Sequence, residues 1–327
     1  LQFDKTEIVI RQRTVLELLD LSLLLLRRYW RQLLASSAIL GIPLLIVDVL
    51  LLHWMLSDTG LEAAAEMDNP AAAAQQRFAY HLAALFFLQF PLASLPATVL
   101  LGHEIFYQRL SLRGLIALLR PSLPAAVLVL GITRMGLLGI PLEFMVDPYV
   151  PFDPLWELLM LAGVCCGWSG LCRAFAPYAP EILSLEACRL RPATGGEISY
   201  RKRSRLLHSA ISGESFTRFG VLALVIPALV LILYSLVFVV DFAGLRHGRS
   251  QAFNALISNQ VLIQVVFPAA LWFSGIYATV FRFLSYLDCR IRLEGWEVDL
   301  RLKAERDRWR AKQRIATPEV VLEATVL

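Results

Sequence analysis

Apolar residues gather along this chain in long stretches, with polar residues confined to the gaps. Six stretches reach the length of about 20 mostly apolar residues that a helix needs to cross a hydrocarbon core: 33–56, 79–103, 122–143, 155–175, 219–241 and 260–283. Ahead of the first, the pattern changes. Leu16, Leu19, Leu23 and Leu26 recur at helical spacing behind Thr14 and Glu17, which fit a capping box. This predicts an amphipathic helix lying on the membrane surface before the chain turns into its first span.

The predicted fold is therefore all-α, a polytopic helical membrane protein with six transmembrane helices plus interfacial amphipathic helices. Residues 1–32 form an N-terminal segment with the amphipathic helix, and 33–283 the six-span domain with a cytoplasmic loop at 176–218. Residues 284–327 form a charged C-terminal helix and tail.

Composition agrees. Apolar residues make up 57% of the 327 positions and charged residues 18%, against roughly 25% charged in a soluble domain. Mean hydropathy is +0.60. A soluble enzyme, a disordered chain and a disulfide-stapled secreted domain are excluded on these grounds. The five cysteines form no CxxC, and the mixed polar opening predicts no signal peptide.

The charges are segregated. Asp58, Glu62, Glu66 and Asp68 follow the first stretch, and Asp147 and Asp153 the third, without Lys or Arg. Arg11, Arg13, Arg27, Arg28 and Arg31 precede the first stretch, Arg109, Arg113 and Arg120 lie between the second and third, and Arg189 to Arg218 between the fourth and fifth. The fifth connector, with Arg246 and Arg249, is the one exception. The positive-inside rule puts both termini in the cytoplasm of a bacterial inner membrane. It reads the basic residues as facing lipid, not nucleic acid.

Arg13 and Arg28 have the same separation as Arg203 and Arg218, within the similar segments Arg11-Gln12-Arg13 and Arg201-Lys202-Arg203. Ile105–Leu119 is a weaker third copy. Either a basic helix and membrane hairpin repeat three times, or cytoplasmic flanks are simply basic. Arg13, Arg28, Arg203 and Arg218 are expected at lipid phosphates, at roughly 1 kcal/mol each.

Three short motifs carry a family resemblance. Arg11-Gln12-Arg13-Thr14 before a Leu-rich helix, Pro180-Glu181-Ile182-Leu183-Ser184-Leu185-Glu186 in mid-chain, and Tyr286-Leu287-Asp288-Cys289-Arg290-Ile291-Arg292-Leu293-Glu294-Gly295-Trp296 after the last stretch resemble those of a group of bacterial integral membrane proteins. That group is related to the membrane domain found with glycerophosphoryl diester phosphodiesterases. The resemblance implies a six-helix membrane domain. It implies no phosphodiesterase activity, because the catalytic domain of that family has no room here.

Charged groups inside spans are the first candidates for function. Asp48 lies roughly 22 Å beyond Leu33 and Arg134 roughly 21 Å beyond Arg120 at 1.5 Å per residue, so equal depth predicts an ion pair. His53, His81, Gln89 and Gln264 sit in or beside spans without an evident relay of carboxylates, which points to interhelical hydrogen bonds. Gly163 and Gly167 form a GxxxG that predicts close helix packing. Gly167-Trp168-Ser169-Gly170 is similar to the GxSG around the nucleophile of rhomboid-type proteases, yet no His follows in the fifth or sixth stretch.

No HExxH, no cluster of metal ligands and no phosphate-binding loop occurs, and no cofactor is expected. The tail from Asp288 to Arg314, with Leu293, Trp296, Leu300 and Trp309 on one edge, is either a docking helix or a solvated one. The expected function is a non-catalytic scaffold or accessory subunit of an inner-membrane assembly, partnered by lipid and by other membrane subunits. A transporter or channel subunit is the first alternative, and an intramembrane hydrolase at Ser169 the remote one.

Overall fold

Thr14 starts the first helix as its sequence predicts. Its hydroxyl accepts from the Glu17 N–H at 3.3 Å and the Glu17 carboxylate accepts from the Thr14 N–H at 3.1 Å, a complete capping box. The computed structural model describes residues 11–65, 67, 69–105, 110–144, 146, 153–190, 198–209, 212–243 and 262–295. No strand occurs among them.

The first helix, α1 (Val15–Leu52), runs for 38 residues, roughly 57 Å at 1.5 Å per residue. It crosses the expected boundary at residues 32–33 without a break. The separate surface helix and turn expected there are not formed, because no Gly or Pro interrupts residues 15–40 and Leu18, Leu25, Leu26 and Leu33 continue one buried stripe.

A 3-10 turn (His53–Leu56) and α2 (Asp58–Ala63) lead to α3 (Pro70–Ala93), capped by the Asn69 side chain. The next helix, α4 (Leu95–Glu104), continues α3 with a bend of 42°. Pro96 explains the bend, since it cannot donate to the Leu92 carbonyl and its ring crowds it. Then come α5 (Leu112–Leu119) and α6 (Leu123–Ala126), the latter prolonged by π-helical turns to Thr133, with 64° between the two across Pro121.

After α7 (Gly139–Glu143), helix α8 (Pro154–Leu161) passes through π-helical turns into α9 (Gly170–Phe175). The chain ends with α10 (Ala179–Ser184), α11 (Tyr200–Ser209), α12 (Ser212–Ala243) and α13 (Phe267–Glu294), the last preceded by π-helical Leu262–Val266. Three helical units, Val15–Leu56, Ser212–Leu236 and Leu262–Glu294, are long and apolar enough to cross a membrane, or five if each bent pair is one span. The described chain is all-helical, with several apolar helices that could span a membrane.

The core is built by α1, α3, α4 and α13, with Leu33, Leu95, Val280 and Phe283 fully buried. Small residues let the backbones approach. Gly41 lies under the Trp272 ring and Gly275 under Phe86 and Phe90, with no room for a methyl group. Helix α12 stands at the rim against α13 and α9, and Leu224 and Leu231 on it are 77% and 68% exposed. The end where α1 begins and α13 finishes gathers Arg13, Arg203, Arg218, Arg290 and Arg292 and is called the basic end below.

Two expectations are corrected. The segment 176–218 is not a simple surface loop, because α10 is buried from Ala179 to Leu183 and wedged against α4, α6 and α11. Gly163 and Gly167 do not pack a helix, since a methyl group at either would meet nothing within 4 Å. The α8–α9 segment turns its polar residues inward instead. Glu157 bonds Arg77 and His81, and Arg173 bonds the backbone carbonyls of Phe87 and Leu88.

This difference is measurable. A Cβ at Gly136 would stand 2.4 Å from the Leu130 carbonyl oxygen and 3.2 Å from that of Leu88. Gly136→Ala should therefore lower stability in mild detergent by about 1–3 kcal/mol, and Gly163→Ala should change it by less than about 0.5 kcal/mol. Equal losses at the two positions, followed by thermal unfolding, would contradict the packing described.

Candidate functional site

Asp48 and Arg134 are both buried, at 3% and 8% exposure, and do not pair. Gln89 on α3 donates to the Asp48 carboxylate at 2.6 Å. Arg134 follows the π-helical turns, just before the left-handed Met135 (φ 63°), and donates to the Ala176 carbonyl at 2.7 Å. Both lie near one level of α3, because Gly136 packs on the Leu88 carbonyl beside Gln89. The expected ion pair is replaced by two separate hydrogen bonds.

Near the opposite end from the basic end, α3 carries a second polar group. His81 lies between two carboxylates, Nδ1 at 2.7 Å from Glu143 and Nε2 at 3.0 Å from Glu157. Arg77, one turn earlier, pairs with Glu157 at 2.6 Å and stacks on Trp54. The carboxylate partners that His81 lacks in its own stretch come from α7 and α8. Both ring nitrogens are engaged, and among the described residues no three His, Cys, Asp or Glu side chains are arranged to hold a metal ion.

At the basic end the charges are matched through α13. Asp288, 2% exposed, accepts from the Arg218 guanidinium at 2.5 Å and from the Arg13 backbone N–H at 2.9 Å, with Arg292 at 3.1 Å. Glu186 holds Arg203 through both carboxylate oxygens, at 2.5 and 2.8 Å, and accepts from the Tyr286 hydroxyl. The Glu186 carboxylate holds the Arg203 pKa above its ordinary value. Glu181, fully buried, pairs with Arg282 at 2.7 Å, and Arg282 also reaches Ser94 and Thr98 at the α3–α4 bend.

Arg203 and Arg218 were expected at lipid phosphates and are instead drawn inward by Glu186 and Asp288. Arg13 is half-buried and contributes its backbone, while Arg28 is exposed beside Tyr29. Most of the charged tail, from Trp296 to Arg314, lies outside the described residues.

Between α3 and α12, floored by α13, is a cavity of about 970 Å³. Its walls are mostly apolar, with Ala83, Phe87, Ala223, Ile226 and Ala278 among them. Arg134, Arg173, Arg218 and Arg282 also line it. Residues 173–181 gather these four. Arg173 belongs to that segment, Arg134 bonds Ala176, Arg218 bonds the Tyr178 hydroxyl and Arg282 bonds Glu181.

Arg77, Glu143, Glu157, Arg173, Glu181 and Arg282 were not singled out from the sequence. A signal existed for four of them, because Glu143, Glu157, Arg173 and Arg282 fall within the predicted spans, where any charge is a candidate. Ser169 is fully buried and its hydroxyl has no hydrogen-bond partner, while His81, His103 and His208 each bond elsewhere. No family model matches the chain, and no curated protein or solved structure matches it either.

His208 on α11 packs on Tyr178 in its neutral form. Nδ1–H donates to the Ser204 carbonyl at 2.7 Å, Nε2 accepts from the Tyr178 N–H at 3.4 Å, and the ring stacks on Tyr178. Burial, aided by the Arg134 charge, pushes its pKa down to about 4 from 6.5. Between those values the unfolded chain takes up a proton that the folded chain refuses. The contribution of His208 is complete above about pH 6.5 and declines as pH falls toward 4, by about 3 kcal/mol. His208→Gln should flatten the acid side of the stability profile over that window, and an unchanged acid side would contradict a neutral buried His208.

Proposed function

We propose that this chain is a non-catalytic integral membrane protein that holds a lipid-like ligand between α3 and α12, as an accessory subunit of a bacterial inner-membrane assembly. The cavity is the observation that carries this reading. It is at the upper end of the roughly 300–1,000 Å³ of ordinary ligand pockets, its walls are mainly apolar, and it lies between helices long enough to cross a bilayer.

Six spans and a cytoplasmic basic end complete the proposal. The bent α5–α6 unit and the α8–α9 unit serve as the third and fourth spans, and the excess of Arg at one end supports the orientation. The three motifs behind the resemblance to the phosphodiesterase membrane-domain family meet at α13: Arg13 on Asp288, Glu181 on Arg282 and Glu186 on Tyr286. That convergence supports reading them as one structural signature.

A polar transport path through Asp48 and Arg134 has less support. The space beside Asp48 is about 20 Å³, room for about one water, and only Arg134 of the two lines the large cavity. A hydrolase at Ser169 has less still, since no base reaches it.

Filling the cavity tests the reading. Wild-type protein purified in mild detergent should retain about one tightly bound lipid per chain, detectable by mass spectrometry of the intact complex. Ala223→Trp with Ala278→Trp should release it while leaving the helical circular dichroism unchanged. The same lipid complement in both proteins would overturn the proposal.

A further inference from the structure

The charge on the cavity wall is one-sided. Among the described residues four arginines line it and no acidic residue does. Glu181 and Asp288, which match Arg282 and Arg218, stand behind those arginines and outside the lining. Arg134 is different. Although 8% exposed, among the described residues its guanidinium bonds only the Ala176 carbonyl and meets no carboxylate. Elsewhere in the lining, Arg218 Nε and Ser285 Oγ have no hydrogen-bond partner although their residues are 4% and 2% exposed.

A buried guanidinium without a counter-charge is costly, and buried donors left open add to that cost. An anion placed against Arg134 would supply its missing counter-charge through charge-assisted hydrogen bonds, with the Arg218 guanidinium adding a second positive charge to the lining. A small inorganic anion would leave most of the 970 Å³ empty, and the remaining walls are mainly alanine, phenylalanine and aliphatic side chains with a few neutral polar groups such as Gln75 and Tyr234. The occupant that fits has an acidic group at one end and hydrocarbon over the rest.

We propose that the cavity binds an anionic amphiphile, with its phosphate or carboxylate headgroup held by Arg134 and Arg218 and its chain lying between α3 and α12. This rests on the cavity being a ligand site, as argued above, and adds the sign of the ligand's charge and the residues that read it.

The experiment uses the full chain, stripped of lipid in detergent and titrated with four probes. Binding is followed by thermal shift and by mass spectrometry of the intact complex. The probes are dioleoyl phosphatidylglycerol, oleate, dioleoyl phosphatidylcholine and inorganic phosphate. Phosphatidylglycerol and oleate should bind at least tenfold more tightly than phosphatidylcholine, and phosphate alone should not bind. Arg134→Gln should remove that preference by weakening phosphatidylglycerol about tenfold. Its retained affinity for phosphatidylcholine would show that the variant is folded, and Arg134→Lys should keep the preference.

Equal binding of the two phospholipids by the wild type, or an undiminished preference in Arg134→Gln, overturns the headgroup assignment while leaving the cavity reading intact. Tight binding of phosphate alone overturns it too, in favour of a soluble anion. Failure of every lipid to bind overturns the cavity reading itself. Self-association that consumes the site, with a helix of a second copy between α3 and α12, overturns both.

Discussion

A charge can be buried in an apolar bundle only where its opposite, or a full set of hydrogen bonds, is buried with it, and α13 is where this chain meets that condition. Asp288 binds the backbone at the start of α1, the first turns of α12 and its own next turn through Arg292. Six positions earlier, Arg282 ties α10 to the α3–α4 bend through Glu181, Ser94 and Thr98. Removing one member of such a pair leaves its partner exposed to the full desolvation penalty, about 3–5 kcal/mol. The start of α1, the bend of α3, the buried α10 and the start of α12 are all held in register by one helix.

The same arrangement shapes the cavity. The bend at Ser94 turns α4 toward α10, and α10 brings residues 173–181 and their arginines to the space between α3 and α12. The carboxylates that match Arg218 and Arg282 sit behind them, so the cavity side keeps a positive face. Arg134, held among the described residues by a lone carbonyl, is a residue there whose charge a ligand would complete. At the other end of α3, His81 and Arg77 are closed off by Glu143 and Glu157.

Much of the fold was legible in the pattern of the chain. Most of the apolar stretches are helical over their described residues, although the third breaks between Arg134 and Leu138, and the Thr14–Glu17 box caps α1 where expected. The pairings were not legible, because rise per residue gives height along a helix and says nothing about which face a side chain occupies. Asp48 and Arg134 stand near one level of α3 and still choose Gln89 and Ala176. The break expected near residue 33 does not form, because leucine spacing marks a helical face without marking where the helix ends; Leu16 and Leu23 stay exposed along the first turns of α1. Gly163 and Gly167 carry the packing spacing, but the polar residues on α8 and α9 decide which face turns inward.

The central claim is that the helices leave an arginine-faced cavity that a membrane amphiphile fills. Electron cryo-microscopy of the chain bound to an antibody fragment, in nanodiscs containing phosphatidylglycerol, tests it directly. The account predicts elongated density between α3 and α12, beginning at Arg134 and Arg218 and running past Ala223 and Ala278. A map in which α3 and α12 pack side to side, with no space between them, would contradict it.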